Sequence, residues 1–217
     1  GERKKVCRAL TPGKREEKVV DQKILEFIDI EAPRDEVFPL LLDLERRTQL
    51  SPLWGVITIE PHDPLFPEPG SRYRVQLLRG EKKTYETVIT AFEPGRKLAY
   101  RSEVENGTQV TWHVQDSGLG TRITYEEHFE VADSEHGQEI AAGGVELVQK
   151  WLRNIKNYAE LRGSRLKRFI RWFLDNHFLK LNRAQRQTML TLLFMQFVGM
   201  ISFVMAAIAV GVANWLT

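Results

Sequence analysis

The chain has 217 residues, enough for one ordinary domain and a remainder. Its net charge of +2 hides an asymmetry: residues 1–20 carry net +4, residues 21–163 net −8, and residues 164–217 net +6. The acidic middle argues against nucleic acid as a partner, because phosphate binding needs a basic surface. The single cysteine, Cys7, excludes an internal disulfide, a multi-cysteine zinc site and a CxxC redox pair.

Residues 1–20 read as a basic tail suited to anionic lipid or an acidic partner, with Cys7 as a free thiol within it. The charged start has no apolar run and so no visible secretory leader, and a start at Gly1 leaves room for residues before it. Strand signals then come near 22–31, 55–61, 71–79, 82–92, 97–105, 108–116 and 120–131. Turn chemistry separates them at Pro69-Gly70, Arg79-Gly80, Pro94-Gly95, Asn106-Gly107 and Asp116-Ser117-Gly118. Between the first two strands, RDEVFPLLLDLERR predicts a helix, followed by a second short one near 47–53. From His136 to about Gly163 the positions 141, 145, 148, 152, 155 and 159 form one apolar stripe, the mark of a long helix.

Residues 164–186 follow as a basic amphipathic segment. Leu166, Phe169, Ile170, Phe173 and Leu174 recur at helical spacing among Arg165, Lys167, Arg168 and Arg171, a pattern that suits the headgroup layer of a membrane. No charged residue occurs after Arg186, and residues 188–214 predict a transmembrane helix, with Trp215 at the far interface. Lys180, Arg183 and Arg186 precede the span and no charge follows it. The positive-inside rule then places the N-terminal domain in the cytoplasm, in a single-pass inner-membrane protein with Thr217 on the opposite side. Within the span Gly199, Ser202, Ala206, Ala209 and Ala213 share one stripe, which lets a second helix approach closely.

The order strand, two short helices, six strands, long helix predicts an α+β fold in which a curved antiparallel sheet wraps a long helix. The phrases FIDIEAPRDEVFPLLLDLERR, TVITAFEPGRKLAYRSE and GTRITYEEHFE resemble the START-like, or SRPBCC, superfamily, above all its polyketide cyclase/dehydrase and lipid-transport branch. The resemblance covers residues 22–163. It implies a helix-grip fold with seven strands around the C-terminal helix of the domain, and a cavity between the two. The domain plan is therefore a tail at 1–20, a START-like domain at 21–163, an amphipathic helix at 164–186 and a transmembrane helix at 187–217.

Strand alternation names the wall of that cavity. Tyr73, Tyr100, Trp112, Tyr125, Glu127 and Phe129 face it, a set that suits a flat apolar ligand such as an isoprenoid. Glu127 is the only acid there, and burial could fit it for proton transfer, but no second catalytic group stands beside it. His113 and His128 alternate to the outer face near Glu126, without metal-ligand spacing, so no metal site is expected. The loop Asp116-Ser117-Gly118-Leu119-Gly120 lacks the lysine and helix of a phosphate loop and reads as a hairpin. No nucleophile triad and no dinucleotide fingerprint occurs.

The first functional expectation is a non-enzymatic, membrane-anchored accessory subunit that docks on integral membrane subunits of a larger bacterial complex, respiratory or photosynthetic. The second is a carrier, needing no cofactor, that holds a quinone, pigment or lipid in the cavity. The third is an enzyme of cyclase/dehydrase type. Membrane lipid is an expected partner in the first two.

Overall fold

A computed structural model describes residues 19–52, 56–61, 63–79, 81–102, 107–118, 120–179, 181 and 183–216. Residues 1–18, which hold Cys7 and the charges of the basic tail, and also His62, Gly80, Asn106, Leu119, Lys180 and Thr217, therefore lie outside the described residues, while Val19 and Val20 of the expected tail belong to the first strand.

The strands are β1 (Val19–Ile30), β2 (Val56–Pro61), β3 (Arg72–Arg79), β4 (Glu81–Glu93), β5 (Lys97–Ser102), β6 (Gln109–Ser117) and β7 (Gly120–Ala132). They form one antiparallel sheet in the order β1-β7-β6-β5-β4-β3-β2. Consecutive strands from β2 to β7 are neighbours, as tight turns require, and β1 returns to close beside β7. The turns at Gly70 and Gly95 use positive φ, 91° and 73°, where a side chain would be strained. Gly120, with a φ of 141°, has a second reason for being glycine: a Cβ there would lie 2.5 Å from the Ile30 carbonyl oxygen, where β7 starts beside the end of β1.

Between β1 and β2 come α1 (Arg34–Leu42) and α2 (Leu44–Gln49). The sequence reading ran the first helix through Arg47. The break falls at Asp43 instead, whose carboxylate accepts from the Arg46 backbone N–H and caps a new helix. The long helix α3 (Glu135–Ala159) starts at the Ser134 cap, and its face from Val148 through Leu152, Ile155 and Ala159 is buried on the sheet. Gly144 lets it approach β1, since a Cβ there would meet the Ile24 side chain at 3.0 Å.

The core lies between sheet and helices and includes Ile24, Ile30, Val37, Leu41, Leu98, Trp112, Ile123, Leu152 and Ile155. Polar bonds fix α3 over it. Trp151 Nε1 donates to the Arg47 carbonyl (3.0 Å), Asn154 Nδ2 to the Leu50 carbonyl (2.9 Å), and Lys156 Nζ to the Asp29 carbonyl (2.7 Å).

After the domain the helix expected over 164–186 is divided. It becomes α4 (Arg165–Phe173), a π-helical turn over Leu174–Phe178, and the start of α5 (Arg183–Leu216). Leu174, Phe178 and Leu179 pack on the core while α4 buries no residue. Arg183 and Arg186 are thus the first turn of the long helix, ahead of its uncharged stretch.

Candidate functional site

The aromatic side chains that alternation turned inward lie in the core of the domain. Tyr73, Trp112 and Tyr125 are buried, and Tyr100 and Phe129 are half-buried against the same core. Their register is set by the β5–β6–β7 ladder, which pairs Leu98 with Trp112 and Trp112 with Tyr125. Trp151, from α3, completes the group. It meets Trp112 edge-on at 5.1 Å between ring centroids and Tyr125 at 5.9 Å. Tyr73 meets Tyr100 edge-on at 6.0 Å.

Glu127 is half-buried, and its Oε2 accepts a 2.8 Å bond from the Tyr125 hydroxyl. Burial raises its pKa, and the Tyr125 bond opposes that rise. Burial also raises the pKa of Tyr73, Tyr100 and Tyr125, so these phenols hold their protons. Its neighbour Glu126 faces outward to Lys23 (2.7 Å) and His128 (2.9 Å), which hold its pKa down to about 2.

His113 and His128 do not meet. His113 pairs with Thr124 at the middle of the β6–β7 ladder and His128 with Gln109 at one end of it. His113 lines an open groove of about 560 Å³ with Arg34, Arg96, Lys97 and Asp116. Among the described residues no group of three His, Cys, Asp or Glu could hold a metal.

Three arginines were missed as site residues. Arg47 lies in the interior, where its Nη1 donates to the Leu41 carbonyl (2.8 Å) and its Nη2 to the Tyr73 hydroxyl (3.4 Å). The sequence carried a signal for this, since Leu44, Arg47 and Leu50 fall at i, i+3 and i+6 on one helical face. Arg46 Nη1 donates to Tyr158 (2.7 Å) and pairs with Asp175, which also accepts from the Tyr158 hydroxyl (2.8 Å). Arg171 of α4 lies over the Tyr158 ring, 4.9 Å from its centroid, so a core tyrosine holds α4 in place. Arg186 is buried and is spent on carbonyls. It donates to Leu179 (2.6 Å), Leu181 (2.8 Å) and Gln49 (3.2 Å), which ties the base of α5 to α2.

The apolar side chains of α4 and α5 are exposed. Leu166, Phe169 and Trp172 of α4 are 67%, 60% and 53% exposed, with Arg165, Lys167 and Arg168 exposed among them. Gln185–Ala209 is long and apolar enough to cross a membrane, and after the buried Arg186 and the half-buried Met189 it is exposed throughout. Gly199, Ser202, Ala206 and Ala209 are exposed on it, while the side chain of Ala213 lies outside the described residues. The Ser202 hydroxyl bonds back to the Val198 carbonyl (3.0 Å).

Residues 21–160 match the model of a family described as polyketide cyclase/dehydrase and lipid transport. The chain belongs to that family. Solved structures share its fold. A protein from Chromobacterium violaceum is 17% identical with a TM-score of 0.50, and the match covers 64% of this chain and 97% of that one. A Rhizobium leguminosarum protein is 15% identical with a TM-score of 0.51, covering 67% and 98%. The Polyketide_cyc-like protein of Corynebacterium glutamicum is 16% identical with a TM-score of 0.50, covering 64% and 91%. Among curated proteins no match is found. The family match ends at residue 160, so α4 and α5 are additions to the family's domain.

Proposed function

We propose that the chain is a membrane-tethered, non-catalytic binding module that takes an apolar molecule from the bilayer beside it. The observation that carries this reading is the fastening of α4. Tyr158 is part of the core and also the seat of Arg171, so the core of the domain is joined directly to a helix whose apolar face is exposed. That face and the basic residues around it suit the headgroup layer, and α5 suits the span. The N-terminal domain is then cytoplasmic, with Arg183 and Lys180 on the near side of the inner membrane. Glu127 supports the non-catalytic reading, because its hydrogen-bond partner is a phenol that keeps its own proton.

The test uses the full chain purified in mild detergent and analysed by native mass spectrometry. An apolar small molecule bound at one per chain is expected, and it should be displaced by added lipid of the same class. A chain that carries none and takes up none would contradict the reading.

A second reading, an accessory subunit, draws on the exposed stripe of small residues on α5. Under it, integral membrane subunits of a respiratory or photosynthetic complex cover that stripe, and the protein co-purifies with them.

A further inference from the structure

The open groove beside His113 lies outside the aromatic interior. Leu98, Trp112 and Val114 are buried, so strand alternation turns Lys97, His113 and Gln115 to the outer face of the sheet. Glu93 is the register partner of Lys97, and Lys97 of His113, which sets these three side chains in one row across β4, β5 and β6. Arg96 stands beside that row in the tight turn at Gly95. Its N–H donates to the Glu93 carbonyl (2.9 Å), and its carbonyl accepts from the Val114 N–H (2.7 Å). Arg34, the first residue of α1, leans on the same turn, its Nε 3.9 Å from where a Cβ on Gly95 would lie.

Most of the charge in this groove is uncommitted. Arg34 pairs with Asp116 at 3.4 Å. Among the described residues Arg96 and Lys97 form no ion pair, although Lys97 is half-buried. Glu93 faces Lys97 across the ladder and forms no ion pair with it. Residues 21–163 carry net −8, so cations that gather here without acids to answer them run against the charge of the domain. Guanidinium and ammonium groups make their strongest hydrogen bonds to anions, and phosphate oxygens suit their geometry. An anion alone would leave Glu93 and Gln115 unused, and these are acceptors for hydroxyl groups. About 560 Å³ has room for both parts.

The geometry points to a phosphorylated polyol as the ligand of this groove. Arg34, Arg96 and Lys97 hold the phosphate, and Glu93 and Gln115 accept from the hydroxyls. Two sources carry that chemistry, a free sugar phosphate and the head of a phosphoglycerol lipid. The groove lies at the end of the domain from which α4 departs, since Glu36 in the same turn of α1 pairs with Arg162 (2.9 Å). This site is independent of the apolar-ligand reading above.

The test titrates glucose 6-phosphate by calorimetry against the full chain in phosphatidylcholine nanodiscs at low ionic strength. One molecule should bind per chain, at least about tenfold more tightly than glucose or inorganic phosphate, the scale of one hydrogen bond to a charged group. Arg96→Gln with Lys97→Gln should weaken it at least about tenfold, and Glu93→Gln should reduce the preference over inorganic phosphate. Lys150→Gln, an exposed cation on α3, should change neither. Phosphatidylglycerol in the nanodisc assigns the lipid source if it weakens glucose 6-phosphate more than an equal charge of phosphatidylserine does. Equal effects of the two lipids assign the soluble source. Binding no tighter than that of inorganic phosphate, or none, would overturn the site, and so would equal binding by the folded double variant. The comparison of glucose 6-phosphate, glucose and inorganic phosphate needs no variant.

Discussion

Glu126 and Glu127 are adjacent on β7 and titrate in opposite directions. Glu126 bonds Lys23 and His128 outside the sheet, and its pKa falls to about 2. Its stabilisation is present above the ordinary value of 4.5 and is lost as pH falls toward 2. Glu127 is raised by burial, so its contribution has the other sign: it is present at low pH and lost as pH rises through the folded pKa. Carboxyl carbon shifts followed by NMR should show the two titrations on either side of the usual value, and Lys23→Met should move Glu126 upward only. Glu127→Gln should fold normally and keep ligand binding. A selective loss of a measured reaction in that variant would contradict the non-catalytic reading, because an amide cannot exchange the proton. Arg186 belongs at this scale too. As a count of flanking charge it looked topogenic, yet its guanidinium is spent on three carbonyls. Arg186→Met should cost about 1–3 kcal/mol, the penalty of leaving buried acceptors unmatched. Faster amide exchange over residues 179–186 would report it, and unchanged exchange would show that the junction does not depend on this side chain.

At the scale of elements, period and turn chemistry carried most of what the chain revealed. The face of α3 and the inward set of β5, β6 and β7 were legible because apolar residues recur at 3.6 and 2. The division of α1 from α2 was not, because Leu42-Asp43-Leu44 keeps a helical rhythm and only the cap breaks it. The division after Phe173 was hidden for a related reason: a π-helical turn interrupts the α-helix without any breaker residue. Of the site, the aromatic wall was legible and its arginines were not, since a lone cation on a helix normally faces water. The stripe on α5 gives a prediction at this scale. Ala206→Leu with Ala209→Leu should still insert but lose any partner helix, while Leu at Phe197 and Phe203 should not. Co-purification at raised salt, where exposed charge pairs are screened, decides it. Equal retention of both variants would reduce α5 to an anchor.

The whole molecule is an acidic domain followed by a basic, membrane-suited end. That separation was plain in the charge count, whereas the fastening of one part to the other depends on long-range contacts among Arg46, Tyr158, Asp175 and Arg186 that no local pattern encodes. The fastening makes sidedness a property of the entire fold. A cysteine at Thr217 should react with an impermeant reagent from outside the cell and one at Asp133 should not, in a Cys7→Ser background. The reverse labelling would invert the orientation.

The central claim is that α4 lies in the membrane surface with its apolar face down. Transfer of Leu166, Phe169 and Ile170 into lipid would stabilise that pose by about 1.5–3 kcal/mol for each fully buried side chain. The direct measurement is an environment-sensitive NBD label on Phe169→Cys, in the Cys7→Ser full chain reconstituted into liposomes. The account predicts blue-shifted emission and quenching by lipids brominated near the headgroup, with a label on Arg168→Cys remaining water-like. Water-like emission at both positions, unaffected by brominated lipid, would contradict it.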